Sequence, residues 1–143
     1  TLMRSSAASD VYKRQVSLWY SFDESTYENN VTLALNLIGN RGKELYNEYN
    51  DINMLNSLIQ KNIRYGVIIK DIHINMQTVP ISGDILFTQT GYRARGSVAR
   101  DISVNFTLYD VSRSRENSHG VKIESWDVRY SEPREITDEE KLK

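Results

Sequence analysis

The strongest constraint on this chain is a change of period at Tyr65: before it apolar residues recur every three or four positions, and after it they alternate with polar ones. Ile68, Ile72, Ile74 and Met76 alternate with mostly polar residues, which predicts a long strand with one face on a core. Pro80 and Gly83 predict a turn. Leu86, Thr88, Thr90, Tyr92 and Ala94 alternate with Phe87, Gln89, Arg93 and Arg95 in a second strand, interrupted near Gly91 and Gly96. Ile102, Val104, Phe106 and Leu108 give the cleanest alternation and a third strand. After the loop SRSRENSHG, Val121 and Ile123 share one phase, whereas Trp126, Val128 and Tyr130 share the other. One extra residue produces such a slip, so a β-bulge is expected near Ser125.

Residues 24–63 carry helical spacing. Ser25 and Glu28 read as a capping box, in which each side chain satisfies a free amide at the helix start. Tyr27, Val31, Ala34, Leu35 and Ile38 then form one apolar stripe, and Gly39, Asn40 and Gly42 are expected to stop that helix. Leu45, Tyr49 and Ile52 predict a second, shorter helix, and Leu55, Leu58 and Ile59 a third. The fold class is therefore α+β, with about three N-terminal helices packed on a curved four-stranded antiparallel sheet. Residues 16–135 suit one domain with one core, and residues 136–143 a charged, fraying tail.

Residues 1–15 hold no apolar run long enough for the core of a secretory signal, and their hydrophobic residues follow no helical or strand period, so an unstructured tail is expected. The string SSAASDVYKRQ, residues 5–15, resembles a translated reading frame of a sequencing-library adapter. Residues 1–15 are accordingly expected to be non-native, with Val16 the cut edge of a longer reading frame. Setting them aside removes three basic residues, Arg4, Lys13 and Arg14, against one acidic, Asp10, and moves the formal charge from −1 to −3. That balance argues against a nucleic-acid-binding domain, whose affinity rests on neutralising phosphates. The absence of cysteine excludes disulfides and thiolate metal sites and suits either the cytoplasm or a bacterial periplasm.

Little in the chain points to chemistry. His73 and His119 follow no metal-ligand spacing, and phosphate-loop, dinucleotide and nucleophile-elbow motifs are missing, so no metal, cofactor or catalytic site is expected. Arg93, Arg95 and Arg100, beside Tyr92, could grip an acidic partner or a nucleic-acid backbone, or form a solvated basic face. Lys70 reads as a strand-edge lysine or the partner of an acid. Helices on a curved sheet often enclose a cone-shaped pocket in which Asp71 and Tyr92 are conceivable actors. Asp71, however, has solvent-side parity, with no second carboxylate or histidine evident beside it.

Two stretches carry a family resemblance. ENSHGVKIESWDVRYSEPRE, residues 116–135, is similar to the C-terminal strand of TraK proteins of Bacteroidetes-type conjugative transposons, where an Asn-Pro-x-Gly-like loop precedes a strand bearing Trp. LWYSFDESTYENNVTLALNLIGNRGKELYNEY, residues 18–49, resembles that family's aromatic run, acidic turn and helix leading to a Tyr-Asn pair, here Tyr46 and Asn47. The resemblance implies a single-pass inner-membrane scaffold of a type IV secretion system, of the VirB8-like kind, with a periplasmic nuclear-transport-factor-two-like domain. It implies a non-enzymatic protein without cofactors that self-associates and binds other secretion subunits, with no direct nucleic-acid contact and with the membrane reached only through a helix upstream of this sequence. The family's interaction loop falls on Asn117, Ser118, His119 and Gly120, with serine in place of the proline that would fix the backbone torsion. The alternative is a small-ligand-binding or isomerase-like enzyme of the same cone-shaped fold.

Overall fold

A computed structural model describes residues 2–94, 96–113, 115 and 120–134. Four helices precede four strands: α1 (Leu2–Tyr20), α2 (Tyr27–Leu35), α3 (Arg41–Asp51), α4 (Met54–Lys61), β1 (Arg64–Asn75), β2 (Ile81–Arg93), β3 (Gly96–Asp110) and β4 (Val121–Arg134). The strands form one antiparallel meander in the order β1-β2-β3-β4. The α+β class, the four long strands and their antiparallel order agree with the sequence reading, and the described residues form four helices where about three were expected.

The additional helix is α1, and it overturns the expectation of an unstructured N-terminal tail. Ala8, Val11, Tyr12, Gln15, Val16 and Trp19 recur at helical spacing and are all buried. Tyr12 packs on Phe106 of β3 with ring centroids 5.0 Å apart, and Tyr20 on Phe87 of β2 at 4.8 Å. Trp19 stacks on Tyr49 of α3 at 4.4 Å, and the Tyr49 hydroxyl donates to the Trp19 carbonyl. The Nε1–H of buried Trp126 in β4 donates to the Tyr20 hydroxyl at 3.1 Å. Burial pushes the Tyr20 phenol up to about 12, against the opposing effect of that hydrogen bond.

The α2 start and the α2–α3 corner also differ from expectation. Ser25 and Glu28 form no capping box. Instead the Asp23 carboxylate accepts from the amides and hydroxyls of Ser25 and Thr26, which holds its pKa down, and the Thr26 hydroxyl accepts from the Asp23 amide. Helix α2 ends at Leu35, before Gly39. Gly42 stops nothing: it is buried in the first turn of α3, where a Cβ would sit 2.7 Å from Ile38 Cγ2. Ile38 is not on the helix; Leu37–Gly39 runs beside β4, with the Ile123 amide donating to the Leu37 carbonyl and the Gly39 amide to the Ile123 carbonyl, both at 2.8 Å.

The expected bulge in β4 is present. Ser125 pairs with Thr107 and Ile123 with Leu108, leaving Glu124 as the extra residue. Two further slips occur, at Arg129 in β4 and at Lys70 in β1. The slip at Lys70 corrects the reading of β1: Tyr65, Val67 and Ile69 face the helices before it and Ile72 and Ile74 after it, whereas Ile68 lies on the other face, 49% exposed. Helix-side residues Ile85, Phe87, Ile102, Val104, Phe106, Leu108, Ile123 and Trp126 complete the core.

Candidate interaction surfaces

The space between helices and sheet, where a cone-shaped pocket would lie, is occupied by Tyr12, Val16, Trp19 and Tyr20 packed on Phe87, Phe106 and Trp126. The grooves lie instead on the open face. The larger, about 480 Å³, crosses all four strands along two rows set by register: His73, Asp84, Asn105 and Asp127, then Asn75, Ser82, Thr107 and Ser125. His73 Nδ1 is 3.0 Å from Asp84 Oδ1, and Nε2 is 3.6 Å from Asp71 Oδ2. The hydrogen bond to Asp84, then the charges of Asp71 and Asp84, hold the exposed imidazole above its ordinary pKa. The structure thus supplies Asp71 with the histidine and second carboxylate that the sequence reading did not find. Strand parity places His73 beside Asp71, and hairpin register brings Asp84 to them. No group of three or more histidine or carboxylate side chains is arranged to hold a metal ion among the described residues.

Toward the other end of the open face, Thr88 donates to Asp101 at 2.7 Å and Arg134 Nε to Asp101 at 2.9 Å. Partial burial pushes the Asp101 carboxyl up, but these hydrogen bonds and the charges of Arg134 and Lys70 outweigh it and hold the pKa below its usual value. Lys70 therefore acts electrostatically on an acid while remaining exposed on the edge strand β1.

Arg93 is exposed at the end of β2, Arg95 lies outside the described residues, and Arg100 is half-buried, its Nη1 donating to the Ser131 carbonyl at 2.9 Å and hydroxyl at 3.1 Å. Of the candidate loop, Asn117, Ser118 and His119 lie outside the described residues. Gly120 takes φ +75°, a conformation that suits glycine, and its carbonyl accepts from the Val111 amide at 3.0 Å to close the β3–β4 connection.

An α+β domain with a four-stranded antiparallel meander under N-terminal helices defines a fold that recurs in solved type IV secretion proteins. The chain is similar to VirB8 of Agrobacterium tumefaciens, with a TM-score of 0.71 and 14% identity over 94% of this chain and 96% of that one. It is also similar to the soluble domain of TrwG from the type IV secretion machinery of Bartonella grahamii, with a TM-score of 0.63 and 17% identity over 89% and 93%. A periplasmic fragment of TraM matches with a TM-score of 0.70 and 10% identity over 87% and 96%. No protein-family model matches the chain, and no curated protein does. At these identities the likeness establishes the fold, which is VirB8-like and of the nuclear-transport-factor-two type.

Proposed function

We propose that residues 16–135 are a periplasmic scaffold domain of a type IV secretion apparatus, and specifically a TraK-type component of a conjugative DNA-transfer system. The observation that carries this reading is the near end-to-end match to domains of type IV secretion proteins, 94% of this chain against 96% of A. tumefaciens VirB8. The packed helix–sheet interior supports a binding role over catalysis, because an enzyme of this fold would use that space for a substrate. The family resemblance of residues 18–49 and 116–135 supports the conjugative assignment.

On this reading a single helix upstream of the sequence anchors the protein in the inner membrane; among the described residues no helix is long and apolar enough to cross one. The domain self-associates and contacts other secretion subunits through the loop at Asn117, Ser118, His119 and Gly120, with Arg93, Arg95 and Arg100 as a secondary basic surface. It binds no cofactor and performs no reaction. Residues 1–15 are adapter-derived, so the natural helix at α1 has a different sequence.

Deleting the gene from its host and scoring DNA transfer to a recipient tests the proposal. Transfer should fall sharply and return with the full-length gene but not with a copy lacking residues 16–135. Undiminished transfer in the deletion strain would contradict it.

A further inference from the structure

The outer edge of β4 is one of the two sheet edges that a partner could extend by adding a strand, and five separate features obstruct it. The amide and carbonyl of Ile123 face outward, since both pair with Leu37–Gly39. Along the register with β3, the outward positions that follow are Trp126, Val128, Ser131 and Pro133, opposite Phe106, Val104, Ile102 and Arg100. The Trp126 carbonyl accepts from Arg41 Nε of α3 at 3.3 Å. The Ser131 carbonyl accepts from Arg100 Nη1 at 2.9 Å. Pro133 has no amide to offer. Among the described residues only Val128 keeps both outward groups without a partner, and the Arg129 bulge beside it breaks the ladder.

We infer that Arg41, Arg100 and Pro133 close the β4 edge to strand addition, so that partners do not extend the sheet from this side. Exposed edges invite pairing with another chain, and charged side chains, proline and bulges are the usual defences. The role of Arg100 in this geometry is to guard backbone, through Nη1 on the Ser131 carbonyl. The inference stands on the edge geometry alone and does not require the secretion reading.

The test is the double variant R100A/P133T, compared with the parent chain by sedimentation and amide hydrogen exchange over a range of protein concentrations. The expected result is new, concentration-dependent association, with exchange of the Val128 and Ser131 amides slowed at least tenfold relative to the parent. R100K/P133R, which keeps a cation at position 100 and places one at position 133 in place of the proline, should behave like the parent. A double variant that keeps the parent's circular dichroism and melting temperature yet shows unchanged association and exchange would overturn the inference. Should R100A/P133T unfold, P133T alone decides: it adds an outward amide at an exposed position, and it must slow exchange at Ser131 and strengthen association, or the inference fails.

Discussion

Replacing Gln15 by leucine should stabilise this domain. Gln15 is fully buried in α1, between Val11 and Trp19 on the helix stripe, and neither its Nε2 nor its Oε1 has a hydrogen-bond partner. An amide buried without a partner costs about 1–3 kcal/mol on protein mutational scales. Leucine is close to glutamine in volume, so the change opens no cavity and forces little overpacking. For a chain of this size 1 kcal/mol corresponds to roughly 3 °C in melting temperature, which places the expected rise at about 3–9 °C by circular dichroism or calorimetry. Gln15→Ala is the control: it removes the same amide but leaves a void, whose cost should cancel most of the gain. A melting temperature that stays level or falls in the leucine variant would mean that the amide is satisfied.

Three further outcomes follow from the geometry. His73 should titrate above the ordinary histidine range by NMR, and Asp84→Asn should lower its pKa; because the folded pKa is raised, any stability the imidazolium adds is present at low pH and lost as pH rises through that value. An unchanged titration in D84N would remove the hydrogen bond from the account. Asp101→Asn should cost about 1 kcal/mol or less, discounted for the partial exposure of both partners, and should flatten the acid limb of the stability curve. The sign follows from a lowered folded pKa, whose contribution is present above the unfolded value and lost as pH falls; a double-mutant cycle with Arg134→Ala measures the pair. Gly42→Ala, ordinarily mildly stabilising in a helix, should instead destabilise by about 1–3 kcal/mol in chemical denaturation, since the new methyl meets Ile38, which is buried and stiff at χ1.

Much of the fold was legible because strands with one buried face write their period into the sequence. The β4 bulge was readable for the same reason, since Ile123 and Trp126 fall in opposite phases around Glu124. The bulge at Lys70 was hidden: Val67, Ile68 and Ile69 are all apolar, so a shift of one residue leaves no visible break. Helix α1 was missed because its buried stripe includes Ala8 and Gln15 and is flanked by charged Lys13 and Arg14, which weakens the apolar contrast. The cap was misassigned because Asp23, Ser25 and Thr26 all offer capping oxygens, and only geometry shows that Asp23 receives the amides. The juxtaposition of His73 with Asp84, and of Arg100 with Ser131, depends on hairpin register and side-chain direction, neither of which a single strand reveals.

The DNA flanking the gene tests the proposal that this domain belongs to a membrane-anchored secretion scaffold. Sequencing outward from codon 16 in the source genome should replace the adapter-like codons with a natural helix, preceded by an apolar stretch of about 20 residues, and should find transfer genes alongside. An upstream frame without such a stretch, set among genes of unrelated metabolism, would contradict it.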